Sequence, residues 1–110
     1  MYHQPITRLR EIRHAHLFCG IGVGARGFNR ASPRIRHVLG KFVCAGGIDV
    51  DPGAIKNFEM MTGTPGTVMD LFDREQYVAF HGKQPPEGWR EATPADVYAA
   101  FGPKIDVAFT

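Results

Sequence analysis

The chain has 110 residues, 44% apolar and 22% charged, with a formal net charge of +2, a composition that excludes a disordered polymer and fits one domain or part of one. Arg8, Arg10, Arg13, Arg26, Arg30, Arg34 and Arg36 crowd its first third, a bias that suits a phosphate-facing surface and equally a solvated basic face. No apolar run approaches the ~20 residues of a membrane span, the N-terminal residues lack the apolar stretch of a secretory leader, and Cys19 and Cys44 both sit in apolar runs, so the expectation is a reduced, cytoplasmic protein without disulfides or a membrane partner.

In chain order, residues 1–14 read as a basic lead-in. AHLFC (15–19) is a short buried strand, and HLFCGIGVGARGF (16–28) carries it into a turn with glycines at 20, 22, 24 and 27. VGARGFNRA (23–31) is a helix weakened by its glycines. SPRIRHVLG (32–40) is a basic connection, and FVCAGGIDVD (42–51) is a second strand, β-branched and apolar until it meets two aspartates. The next helix has clear local boundaries: Asp51 caps it, Pro52 suits its first position, and Gly63 stops it. GTVMDLFD (66–73) is a third strand, and Asp73 with Gln76 forms a capping box for the helix behind it. KQPPEGWREA (83–92) is a loop by its prolines and glycine. Thr93 and Pro94 open a short helix that ends near Phe101 and Gly102, and KIDVAFT (104–110) is a fourth strand.

Strands and helices alternating at this spacing predict an α/β fold: a partial doubly wound, Rossmann-like parallel sheet of about four strands, with helices on both faces, over residues 15–110. Such sheets normally have five or more strands, so the expectation is the first part of something longer. The fourth strand, with Ile105, Val107 and Phe109, is then expected to lie uncovered and to invite self-association.

A strand that turns sharply into a helix through glycines brings a ligand against bare backbone, where the helix N-terminus offers free N–H groups. Gly22-x-Gly24-x-x-Gly27 matches the dinucleotide fingerprint, and Asp49 and Asp51 stand where an acid can hold ribose hydroxyls. Nicotinamide cofactors and S-adenosyl-L-methionine both carry an adenosine ribose, so these features do not choose between them. Asp70, at the end of the third strand, can accept from the amine of an adenine, and Val50 can pack on its face.

Three stretches together carry a resemblance. Phe18-Cys19-Gly20-Ile21-Gly22, Gly47-Ile48-Asp49-Val50-Asp51-Pro52 and Met69-Asp70-Leu71 resemble, in order and spacing, the first three motifs of the DNA (cytosine-5) methyltransferases, over His16 to Thr110. The resemblance implies S-adenosyl-L-methionine as cofactor and DNA as the partner of the parent enzyme, in a bacterial or phage setting. It places Phe18, Gly20 and Gly22 around the methionine end, Asp49 on the ribose, Val50 beside the adenine and Asp70 on the adenine amine. In that family the fourth strand leads into a Pro-Cys motif whose cysteine attacks carbon 6 of a flipped-out cytosine. KIDVAFT (104–110) resembles the strand that leads to that motif and stops at Thr110, so the catalytic cysteine is expected just after Thr110, no residue of this chain is expected to be catalytic, and the chain alone is not expected to methylate DNA.

The match departs from the family pattern at three places. His16 stands where an acid is usual and Val23 where a glycine is usual, and the 33 residues between Asp70 and Lys104 make a long link. Three rivals share parts of the pattern: a methyltransferase acting on an exocyclic amine, a nicotinamide-dependent oxidoreductase, and a non-catalytic module for an adenosine ligand. His14 and His16 form an His-x-His pair that on a strand turns both rings to one face. Without finger-like spacing to further ligands, the expectation is histidines leading into the strand and no metal.

Overall fold

The computed structural model describes residues 5–110; the first four residues of the basic lead-in lie outside the described residues. The rest of that lead-in is largely strand. β1 runs Arg8–Leu17 and pairs in parallel with β3, Val38–Asp49, from Arg8 beside Val38 to Leu17 beside Ile48. The expected start at residue 15 lies just past the point, His14, where β1 becomes fully buried, and Arg8 to Glu11 are exposed. Backbone pairing with β3 holds that outer half extended, without the alternating burial that makes a strand readable.

The expected basic connection at 32–40 also contains structure. β2, Arg34–Ile35, runs antiparallel to the start of β3, with Arg36 at φ 53° in the intervening turn. The sheet is therefore mixed and five-stranded rather than a four-stranded parallel one. β4, Gly66–Val68, and β5, Val107–Phe109, are shorter than their expected stretches; β4 pairs in parallel with β3, and β5 in parallel with β1. Across the parallel strands the order is β4, β3, β1, β5.

Helix boundaries follow local chemistry. In α2, Pro52–Thr62, the Asp51 side chain accepts from the Gly53 N–H and Gly63 closes the helix at φ 69°. In α3, Arg74–His81, Asp73 and Gln76 exchange the two hydrogen bonds of a capping box. In α4, Pro94–Phe101, Thr93 and Asp96 do the same. α1, Val23–Arg30, has no side-chain cap; it starts from Gly22 in the left-handed region at φ 87°.

The two faces of the sheet are filled differently. On one, Ala15, Ile48 and Phe101 form a buried cluster joined by Leu17, Met69, Val97 and Ile105, so α4 covers this side. On the other, α1 and α2 lie over His14 and His16, with Phe58 of α2 fully buried against the sheet. Phe58 sits over Gly47, where a Cβ would come within 2.7 Å of its ring. Gly66, the register partner of Gly47, leaves the same ring room, so two adjacent glycines of the sheet make the seat of one phenylalanine. The outer ends of β1, β2 and β3 reach beyond this packed region. The long axis is 63 Å and the Cα radius of gyration 17.4 Å, against about 13 Å for a compact domain of this size. Among the described residues no helix is long and apolar enough to cross a membrane.

Candidate functional site

β1, β3 and β4 are parallel, so their C-terminal ends share one edge of the sheet. The loop after β1 is fixed there by backbone bonds: Cys19 N–H donates to Ile48 O at 3.0 Å and Gly22 N–H to Cys19 O at 3.0 Å. The Gly20 N–H donates to Asp49 Oδ2 at 2.9 Å, and the Asp51 N–H to Asp49 Oδ1 at 3.0 Å. One carboxylate thus ties the glycine loop to the end of β3, and each oxygen keeps acceptor capacity for a further donor.

Phe18 and Gly20 show what the loop leaves free. Phe18 adopts φ 54° and is 63% exposed, a left-handed conformation uncommon for a side-chain-bearing residue, of the kind that clusters at active sites, ligand clamps and switch regions. Space opens beside Gly20, where a Cβ would meet nothing within 4 Å. At Gly22 the opposite holds: a Cβ would lie 2.8 Å from the Phe58 ring, so glycine there serves packing and the left-handed turn together. Val50 is exposed just beyond Asp49.

Asp70 lies two residues past β4, whose last residue pairs with Asp49. Its Oδ1 accepts from the Phe72 N–H at 3.1 Å and its Oδ2 from the Trp89 indole N–H at 3.5 Å. A cavity of about 290 Å³ opens between Asp70, Met69, Trp89 and Ala92, rimmed by the Arg90–Asp96 ion pair. The Arg90 guanidinium holds the Asp96 carboxyl well below the usual carboxylate range. Tyr77 of α3 packs against Trp89 with the rings tilted at 56°, and the Arg74 guanidinium lies 5.5 Å from the Trp89 ring. The long link after Asp70 is thereby folded back onto Asp70. Sequence alone assigns Trp89 no role, because its contact is tertiary and a lone tryptophan in a proline-rich loop carries no periodic signal.

Cys19 lies at the loop but is unsuited to nucleophilic work. Burial, with the Asp49 charge beside it, pushes its thiol up to about 11, so it stays protonated at neutral pH. Arg13 is not part of a free basic surface. Its side chain donates to Lys104 O at 2.9 Å and Phe101 O at 3.4 Å, and its backbone N–H donates to Asp106 Oδ2, tying β1 to the segment before β5. Arg26, Arg30, Arg34 and Arg36 are exposed.

His14 and His16 do turn to one face, as their spacing predicts, and both are buried. The His14 and His16 rings are linked Nδ1 to Nε2 at 2.6 Å, with Cys44 beside them. Burial holds both imidazoles neutral, His16 down to about 4 with the neighbouring His14 adding to the effect. No protein-family model matches the chain, and no curated protein or solved structure matches it.

Proposed function

We propose that residues 15–110 form the S-adenosyl-L-methionine-binding part of a DNA (cytosine-5) methyltransferase domain, with a Rossmann-like sheet. The observation that carries this reading is the 2.9 Å bond between the Gly20 N–H and Asp49 Oδ2. It joins the first and second stretches of the motif resemblance into one cradle. Strand order supports it as well: the parallel strands lie third, second, first, fourth, the first four places of the doubly wound order 3-2-1-4-5-6, in which ligands bind at the C-terminal edge.

The residues fit the cofactor's parts. Exposed Phe18 and the open space at Gly20 suit the methionine end, the free acceptor sites of Asp49 the ribose hydroxyls, and exposed Val50 one adenine face. Asp70 offers its carboxylate to the adenine amine from a cavity walled by Trp89. The cofactor supplies an activated methyl group; these residues bind and orient it. The dinucleotide fingerprint draws less support, because its third glycine normally allows close helix–strand packing, and a Cβ at Gly27 would meet nothing within 4 Å. A reducing cytoplasmic setting agrees with two free cysteines. β5 pairs only with β1 among the described residues, leaving an edge for a second copy or a further strand.

Isothermal titration of the chain with S-adenosylhomocysteine and with NAD tests the assignment. Binding of the homocysteine compound, weakened about tenfold or more by Asp49→Asn, is expected from loss of charge-assisted hydrogen bonds worth about 1.5–3 kcal/mol. Preference for NAD, or no binding of either, sinks it.

A further inference from the structure

Ahead of the glycine loop the same two strands carry a second set of donor atoms. His14 and His16 of β1 are 0% and 2% exposed, and Cys44 of β3 is the register partner of His14. One ligand atom from each of the three lies within 4.8 Å of the others. His14 Nε2 is 2.9 Å from Asn29 Oδ1. An amide oxygen only accepts, so His14 carries its proton on Nε2 and turns a bare Nδ1 toward His16. His16 then donates through Nε2 across the 2.6 Å contact.

We propose that His14 Nδ1, His16 Nε2 and Cys44 Sγ form a three-coordinate site for a soft monovalent cation, of which Cu(I) is the type. Donor chemistry points first to this class. Imidazole and thiolate suit copper and zinc and suit hard cations poorly. His14 already has the outer partner that metal-bound histidines use, since its other ring N–H is held by the Asn29 amide oxygen. Phe28, Phe42 and Phe109 pack around the two imidazoles, which keeps competing water from the site.

Charge and ligand number then choose between copper and zinc. No carboxylate is among the three ligands. A divalent ion with one thiolate leaves a net positive charge in an apolar surrounding, which is costly. A monovalent ion with one thiolate is neutral. Structural zinc is also almost always four-coordinate, and three protein ligands are present.

Loading involves no change of oxidation state. Cys44 gives its thiol proton to solvent, His16 moves its ring proton from Nε2 to Nδ1, and the ion takes the place of the hydrogen bond between the rings. The two nitrogens must part from 2.6 Å to about 3.5 Å for planar coordination with bonds of about 2.0 Å.

Anaerobic titration of the full chain with Cu(I), in competition with a chromophoric copper chelator, tests the site. One equivalent of copper should bind, with a thiolate-to-copper band in the near ultraviolet. Cys44→Ser should weaken binding by more than the roughly 10–100-fold typical of outer-shell changes, while Cys19→Ser leaves it unchanged. Should Cys44→Ser not fold, maleimide labelling and peptide mapping of the unaltered chain give the same answer, because bound copper should shield Cys44. Substoichiometric copper, copper retained in a folded Cys44→Ser, shielding of Cys19 instead, or tighter binding of Zn(II) than Cu(I) each overturns the proposal.

Discussion

β1 and β3 lie side by side over the whole of β1, yet the two ends of their ladder are held by different forces. At the outer end Arg8 to Glu11 are exposed, and the pairing is backbone hydrogen bonding with β2 closing a short hairpin. At the inner end His14, Ala15, His16 and Ile48 are buried between helices, and each strand runs into a loop. Net backbone hydrogen bonds contribute modestly, whereas burial of apolar side chains dominates. The inner end therefore carries the stability and holds the candidate sites, and substitutions there should cost far more than the same changes outside.

The largest contrast is expected from the buried imidazoles. The His16 folded-state value of about 4 lies below its ordinary 6.5, so between these values protons bind the unfolded chain and not the folded one. Stability is then fully present above pH 6.5 and lost as pH falls toward 4, by about 3 kcal/mol if the shift is expressed in full. His14 is shifted in the same direction by its own burial. Urea unfolding at pH 7.5, 5.5 and 4.5 measures the slope. A midpoint unchanged down to pH 4.5 would mean that the pair is hydrated or already charged, and the inner end would lose its distinction.

Glycine substitutions sharpen the comparison within the inner end itself. Gly47→Ala puts a methyl group 2.7 Å from the Phe58 ring and 2.8 Å from Cys19 Sγ, and overpacking of this kind costs about 1–3 kcal/mol. Gly27→Ala, inside α1 with nothing within 4 Å, should instead stabilise by roughly 0.5–1 kcal/mol through helix propensity. Thermal melts of the two variants should move in opposite directions. Equal losses in both would show that Gly27 is held by a contact beyond those described.

The same division explains what was legible in the sequence. Asp51, Pro52 and Gly63, the Asp73–Gln76 box, and Thr93 with Pro94 placed three helices because capping is chemistry between neighbours in the chain. The loop after β1 was legible for a similar reason, since a strand, a glycine turn and a helix follow one another directly. The outer half of β1 and all of β2 were not, because solvated residues there leave no alternation to detect. Two groupings needed the tertiary structure itself. Cys44 meets His14 only through the β1–β3 pairing, which slips by one residue between His14 and Ala15, and Trp89 reaches Asp70 only by the return of a long link. Side chains joined across strands or by a returning loop leave no spacing signature in either segment alone.

The outer end yields the smallest expected change in stability and the cleanest test of its charge. Arg8 and Arg10 on β1, Arg34 on β2 and Arg36 in the turn are all exposed on this three-stranded ribbon of β2, β3 and β1. Replacing any one of them by serine should leave stability within about 0.5 kcal/mol, as surface changes do. If the ribbon faces phosphate, each lost contact lowers the slope of log affinity against log salt by about 0.9. Fluorescence anisotropy with a short DNA duplex over a range of salt, for the unaltered chain and the fourfold serine variant, reads that slope directly. A slope that drops while unfolding stays put makes the outer end a binding arm carried by backbone pairing. An unchanged slope makes it a solvated basic face, and the whole difference between the two ends is then one of burial.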